Sequence, residues 1–348
     1  MTSFIHFADA HINNLPIGKL INGVPVYVQD RLNNFDYLVD FAIAHTVDYV
    51  LFAGDMYYNS KPPNAIRKMV YERINRLTKS GIKVVMIPGN HDMTKREGGS
   101  HALVEFKSLA PNGVYLVDTP SILGFPDLSI ACIPWLYGNQ DTPTLKADIC
   151  LAHCSTTGAK YESGTDVGEQ LDLGGNDFVI PLEYFDYYYT ALGHIHKAQV
   201  LNKNVVYPGS IDLLTWGEAK DGSTHGFVYW HDNVWEQIAY PKRKHLTCEI
   251  DLDNPYTLPE FNPEWLYEFI FYSQDPLAQK PDLSLYHNAI DVKDKIIKPT
   301  PNRARDNVLP VEFDINTPPL ELVRQYHKLN DLPFDGEMEL LCMEIMTD

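Results

Sequence analysis

Short apolar runs in this chain repeatedly end on aspartate, asparagine or histidine. Residues 4–8 run into Asp9-Ala10-His11, residues 48–53 into Gly54-Asp55, and Lys83–Ile87, after Pro88, into Gly89-Asn90-His91-Asp92. Between the first two runs Leu32, Phe35, Val39 and Ala42 recur at helical spacing. Between the second and third, residues 65–79 read as a helix stopped by Gly81. Strand–helix–strand–helix–strand is the pattern of an α/β sheet. In open sheets of that kind, side chains following the carboxyl ends of strands converge on one crevice. The polar motifs therefore predict a shared site.

From residue 114 the pattern turns strand-rich, with runs at 114–117, 129–133, 148–152, 187–192, 205–207 and 226–230. These predict a second sheet packed on the first, giving a four-layer αββα sandwich of two mixed sheets flanked by helices. Two of the later runs also end on imidazoles, His153 and Gly193-His194-Ile195-His196. A Gly-rich polar segment leaves directly from His153 and continues to Pro181; a loop of that length is functional or mobile.

Beyond residue 240 the character changes. Residues 1–240 read as the main domain and 241–298 as a small α+β cap, with strands at 246–252 and 266–272. Residues 299–348 read as a proline-containing linker and two amphipathic helices. The first helix has Thr317 as N-cap with Pro318 next, and carries Leu322, Tyr326 and Leu329; the second carries Met338, Leu341, Cys342 and Ile345.

Charge limits the choice of partners. The 348 residues carry a net −18, which argues against coating nucleic acid by bulk electrostatics. The excess is uneven, however. Residues 251–348 hold 19 acidic against 8 basic side chains, whereas the first 250 hold 27 against 20. A polyanion is thus admissible in the first part. The five cysteines form no Cys-x-x-Cys pair, so neither a disulfide framework nor a thiolate zinc site is expected. No apolar stretch approaches the ~18–20 residues of a membrane span, and the N-terminal apolar run has no basic flank or small-residue cleavage site. The expected location is the cytoplasm, with no membrane partner.

The candidate donors are Asp9, His11, Asp55, Asn90, His153, His194 and His196. Carboxylates and imidazoles without thiolate suit Mn²⁺, Fe²⁺ or Zn²⁺ better than Ca²⁺, and Mg²⁺ is admissible. Seven donors exceed what one ion with an open position needs, but they fit two ions sharing Asp55. Two ions ~3.5–4 Å apart clamp the attacking and leaving oxygens of an in-line phosphoryl displacement. Hydrolysis of a phosphate ester is the chemistry expected. The remaining histidines (His6, His45, His101, His225, His231, His245, His287 and His327) belong to no motif and read as core or surface residues.

Together the five motifs resemble the calcineurin-like metallophosphoesterase superfamily. Within it the chain looks like the SbcD-type DNA double-strand-break repair nucleases, including phage recombination endonuclease subunits. Asp92, where protein Ser/Thr phosphatases have Glu, points to this branch, as do the run from Phe185 to His196 and Tyr207-Pro208-Gly209-Ser210 with Gly217-Glu218 and Gly226-Phe227. The tail also resembles the cap and partner-binding helices of these nucleases. The likeness is strong over about residues 1–235 and weak beyond.

The resemblance implies one metal on Asp9, His11, Asp55 and His196 and another on Asp55, Asn90, His153 and His194. It implies His91 as the catalytic acid rather than a ligand. It further implies a manganese-dependent exonuclease and endonuclease acting on DNA with an SbcC-like coiled-coil ATPase, as a homodimer within a heterotetramer, in the host cytoplasm or nucleoid if the chain is phage-encoded. One position departs from the pattern: three residues after Asp55, where Asp or His usually orients the catalytic histidine, stands Tyr58. The alternatives are another metallophosphoesterase or a catalytically weak scaffold subunit. Among the former, a cyclic-nucleotide phosphodiesterase fits better than a protein phosphatase, because no arginine closely follows Asp55. Lys95-Arg96 and Lys242-Arg243-Lys244 are candidate phosphate contacts.

Overall fold

A computed structural model describes residues 2–296 except 14–19, 22, 95–99, 109–112, 137–141, 162–166, 168–177, 215–217, 219–223, 242, 276 and 287–288. Contacts divide the chain into Met1–Ile296 and Ile297–Asp348. The linker and paired helices expected over 299–348 lie outside the described residues, as do Lys95, Arg96 and Lys242.

The chain begins with β1 (Phe4–Phe7), the short hairpin β2 (Leu20–Ile21) and β3 (Val24–Pro25), then α1 (Val26–Ala44) and β4 (Tyr49–Ala53). Next come α2 (Asn64–Lys79), β5 (Lys83–Ile87), α3 (Val104–Ser108) and β6 (Val114–Leu116). The strand-rich part holds β7 (Ser121–Gly124), β8 (Ser129–Ile133), β9 (Ile149–His153), β10 (Ser155–Thr156) and β11 (Val179–Ile180). It continues through β12 (Tyr189–Gly193), β13 (Gln199–Asn202), β14 (Val205–Tyr207), β15 (Gly226–His231) and β16 (Val234–Ala239). The last three strands are β17 (Lys244–Asp251), β18 (Trp265–Ser273) and β19 (Ala289–Ile296).

Two six-stranded mixed sheets form the body, ordered β16-β15-β1-β4-β5-β6 and β13-β14-β12-β9-β8-β7. This is the expected α/β sandwich. In the first sheet β1, β4, β5 and β6 run parallel; in the second β8, β9, β12 and β14 do. The antiparallel strands β16 and β15 border the first sheet on one side, while β7 and β13 are the two edges of the second.

Burial on both faces explains the unbroken apolar runs. In β4 every side chain is buried: Val50 and Phe52 join the core beneath the helices, while Tyr49, Leu51 and Ala53 join the core between the sheets. Helix α1 buries Leu32, Phe35, Leu38, Val39 and Ala42 against the first sheet, and α2 adds Ile66, Val70, Ile74 and Leu77. Each of these Leu, Phe, Val and Ile side chains removed from water contributes about 1.5–3 kcal/mol. Gly81, in the left-handed region at φ +83°, turns the chain out of α2. Behind the second sheet, Trp135, Phe178, Ile180 and Phe185 cover its outer face.

His6 lies in the inter-sheet layer. Its Nε2 donates to the Leu192 carbonyl at 3.1 Å and its Nδ1 accepts from the Tyr189 hydroxyl at 2.9 Å. Burial pushes its pKa down to about 3. It is thus a satisfied neutral core residue, as read from sequence.

Among the described residues the last part is a parallel sheet, β17-β18-β19, with its own small core around Tyr267, Phe269, Phe271 and Tyr286. Arg243 does not stand free to meet a phosphate: it forks onto Asp30 of α1 at 2.7 and 2.9 Å. Lys244 lies over the Trp265 ring, 3.8 Å from its centroid. Cys132, Cys150 and Cys154 are buried thiols. No described helix is long and apolar enough to cross a membrane.

Candidate metal centre

Because β1, β4 and β5 are parallel, the segments that follow them leave the first sheet at one end; β9 and β12, also parallel, deliver theirs from the second. Asp9 and His11 follow β1, Asp55 follows β4, Asn90 and His91 follow β5, and His194 and His196 follow β12. His153 is the last residue of β9, one position earlier relative to its strand than the pattern predicts.

The segments are tied together by backbone hydrogen bonds. Asp9, His11 and Ile12 donate to the carbonyls of Gly54, Asp55 and Met56 at 2.9–3.0 Å. The fully buried Asp92 carboxylate accepts from the N–H groups of Asp55 (2.9 Å), Met56 (3.2 Å), Tyr57 (2.9 Å) and Gly89 (3.1 Å). It thereby fastens the segment after β4 to the one after β5. Burial pushes its pKa up to about 7 against the pull of these four donors. In the sequence alone, Asp92 stands out only as a marker of the family it resembles.

Close approach is the second device. A methyl group at Gly54 would collide with the His153 ring, at Gly89 with the Asp55 carboxylate, and at Gly193 with the Ala53 carbonyl. Gly54 also needs its positive φ of +89°. Asp9, His11, Asp55 and His194 adopt positive φ as well, at 53°, 43°, 61° and 102°. Such non-glycine conformations cost about 1–3 kcal/mol each and cluster at functional sites.

All seven candidate donors and His91 are brought together. His11 Nε2 lies 3.9 Å from Asp9 Oδ1 and 3.5 Å from Asp55 Oδ2, and its ring is 5.0 Å from that of His196. His153 Nε2 lies 3.6 Å from Asp55 Oδ2 and 2.9 Å from Asn90 Oδ1, which is also 3.1 Å from His194 Nδ1. Three donor groups have ligand atoms within 4.8 Å of one another: Asp9, His11 and His196; His11, Asp55 and His91; Asp9, Asp55 and His153. Trp135 packs beside His194 and His153, at 4.8 and 6.0 Å between centroids.

The hydrogen-bond pattern fits a cation. His153 Nδ1 donates to the Ala53 carbonyl at 2.7 Å, so in the neutral ring Nε2 carries a lone pair. Burial, then the neighbouring imidazole of His194, holds that ring well below the usual histidine range, so it is neutral. Nε2 and Asn90 Oδ1 are therefore two acceptors facing each other at 2.9 Å. His11 is buried with neither ring nitrogen hydrogen-bonded, and is likewise held neutral by burial, then by His196 and His91. Burial, then Asp92 and Asp9, pushes Asp55 well above the carboxylate range. Opposed lone pairs and crowded carboxylates call for positive charge between them.

His91 is held from an unexpected quarter. Its N–H donates to Asp55 Oδ1 at 2.8 Å, and its Nδ1 donates to the main-chain carbonyl of Tyr58 at 2.9 Å. The departure at position 58 thus removes no orienting group, because the group is backbone. The ring lies 4.7 Å from that of His11.

A further chain of polar contacts reaches the site from behind. His196 Nδ1 lies 3.5 Å from Glu218 Oε1, Glu218 Oε2 lies 3.8 Å from His225 Nε2, and His225 Nδ1 meets Ser210 Oγ at 2.8 Å. Burial raises the Glu218 pKa, but its hydrogen bond to His196 and the charges around it leave the net shift downward. His225, read from sequence as a residue outside every motif, therefore supports the site. The signal that could have found this chain was the Gly217-Glu218 pair already singled out.

A sandwich of two mixed sheets with carboxylates and imidazoles gathered at the ends of its parallel strands defines a class. Residues 2–255 match the family model described as calcineurin-like phosphoesterase, and the chain belongs to that family. The chain is similar to an uncharacterized metallophosphoesterase, YhaO, of Bacillus subtilis, at 27% identity over 264 residues, 68% of this chain and 62% of the relative. It is similar to the DNA double-strand break repair protein Mre11 of Saccharolobus solfataricus, at 27% over 232 residues, 62% and 55% of the two chains. A subunit of the nuclease SbcCD of Escherichia coli K12 is 26% identical over 223 residues, 53% and 55%. The chain thus spans between half and two thirds of the length of these relatives.

Proposed function

We propose that the chain is a metal-dependent DNA nuclease, both exonuclease and endonuclease, that hydrolyses phosphodiester bonds with two divalent cations, manganese foremost. The observation that carries this reading is the opposed pair of acceptors, His153 Nε2 and Asn90 Oδ1, beside the crowded Asp55. One ion would be held by Asp9, His11, Asp55 and His196, the other by Asp55, Asn90, His153 and His194. When bound, the ions supply the positive charge that polarises water and neutralises the phosphate.

The protein's own residues do the rest. Asp92 fixes the two segments that carry Asp55 and Asn90. His91, with Nδ1–H committed to the Tyr58 carbonyl, turns Nε2 toward the substrate; protonated there, it donates to the departing oxygen. Similarity to proteins named for DNA double-strand break repair and as part of a nuclease supports DNA as substrate. The modest charge of the first 250 residues admits it.

The proposed setting is end processing, recombination and repair in the cytoplasm. There a homodimer would join an SbcC-like ATPase as a heterotetramer, with 241–298 as a cap on DNA and 299–348 docking the ATPase. The test compares single- and double-stranded DNA with cyclic nucleotides, in manganese and in chelator. Chelator-sensitive DNA cleavage with cyclic nucleotides intact is expected. Turnover of cyclic nucleotides alone would overturn the assignment.

A further inference from the structure

We propose that Tyr58 is a nucleobase platform: its ring stacks on the base flanking the scissile phosphodiester, so the site favours ends with unpaired bases. The inference rests on the nuclease reading and names a specificity determinant within it.

Tyr57 and Tyr58 are adjacent but have opposite fates. Tyr57 is fully buried in the core, whereas Tyr58 is 47% exposed. Its ring centroid lies 5.8 Å from that of His91 and 6.3 Å from that of His11. An aromatic side chain left this open beside two site histidines does little for packing. Its hydroxyl makes no hydrogen bond among the described residues.

The backbone beneath the ring is nevertheless fixed on both sides. The Tyr58 N–H donates to the Ile12 carbonyl at 3.2 Å, and its own carbonyl accepts from His91 Nδ1 at 2.9 Å. The ring is thus carried by the atoms that hold the proposed acid, and its distance from the reacting phosphate is set with it. Every base has a π-face, so an aromatic platform binds bases without reading sequence. A base inside a duplex is already stacked and must leave its column to reach the ring, which costs least where it is unpaired.

The position is also unsuited to the alternative role. A phenol offers no carboxylate to orient His91, and that task belongs to the carbonyl. The side chain is therefore available to the substrate.

The test uses the full chain in manganese with two single-stranded oligonucleotides. They differ only in whether the nucleotide beside the scissile phosphate carries a base or an abasic ring. For the unmutated protein kcat/KM should favour the base by roughly 5–150-fold, the range of one stacking contact. Tyr58→Phe should keep this ratio, while Tyr58→Ala and Tyr58→Leu should bring it close to one. A loss of folding or metal would lower both substrates together and leave the ratio alone. The inference is overturned if Tyr58→Ala keeps the ratio, or if Tyr58→Phe loses it as fully as Tyr58→Ala does. Cleavage of neither substrate by the unmutated protein overturns the nuclease reading itself, and the platform with it.

Discussion

Replacing Asp92 by asparagine changes one atom and should loosen the whole centre. Oδ2 accepts from Asp55, Met56 and Gly89, and Oδ1 from Tyr57. Asparagine has one acceptor oxygen. The less costly orientation keeps it on the three-donor side and turns the amide NH₂ toward the Tyr57 N–H, two donors face to face. An orphaned buried N–H costs about 1–3 kcal/mol, and each of the three retained bonds loses about 1 kcal/mol once no longer charge-assisted. In the metal-free protein two effects oppose this: an amide is cheaper to bury than a carboxylate, and repulsion with Asp55 disappears; the raised pKa of Asp92 shows that together they outweigh the charge-assisted bonds there. With manganese bound, the ions neutralise Asp55 and a net loss of about 3 kcal/mol is expected. It should be read by urea unfolding at pH 8, above the carboxyl's pKa of about 7. Without metal the loss should shrink or reverse, since the substitution then relieves the repulsion with Asp55. With manganese bound, a midpoint within the equivalent of about 0.5 kcal/mol of the unmutated protein, at unchanged slope, would refute the fastening role given to Asp92.

Three further outcomes are expected. His91→Ala should lower kcat on DNA by about 10²–10⁴-fold while calorimetric manganese binding stays intact, as removal of a general acid requires; an unchanged rate contradicts the role. Glu218→Gln should weaken binding at one of two metal sites by about 10–100-fold in a manganese titration, because the carboxylate backs the candidate ligand His196; equal weakening of both sites argues against this. His6 is held near pKa 3, below its unfolded 6.5, so its contribution is present above pH 6.5 and lost as pH falls toward 3. At pH 5 that amounts to about 2 kcal/mol. The stability gap between the unmutated protein and His6→Asn should therefore shrink by about that much between pH 7 and pH 5, and a pH-independent gap would show that His6 does not titrate as described.

What the sequence revealed follows from the geometry of parallel strands. A run such as Val84-Val85-Met86-Ile87 announces a strand buried on both faces, and a parallel strand sends its next residues to the common end. The donors could thus be gathered without coordinates. Strands β7, β13 and β16 were invisible because half-exposed alternation over four to six residues looks like loop. The hold on His91 could not be read because it comes from a carbonyl, which every residue possesses. Asp92, Glu218 and His225 act through partners distant in sequence, so their types were visible and their tasks were not.

Three residues with no functional group guard the centre as strictly as the donors do. Gly54, Gly89 and Gly193 sit where the tips of β4, β5 and β12 come within one methyl group of their neighbours. A saturation scan of this chain would therefore score these glycines beside the aspartates and histidines. A search for catalytic positions by mutational tolerance alone would count them as chemistry. Here intolerance measures clearance, and the two causes separate only when metal binding is recorded alongside survival of the fold.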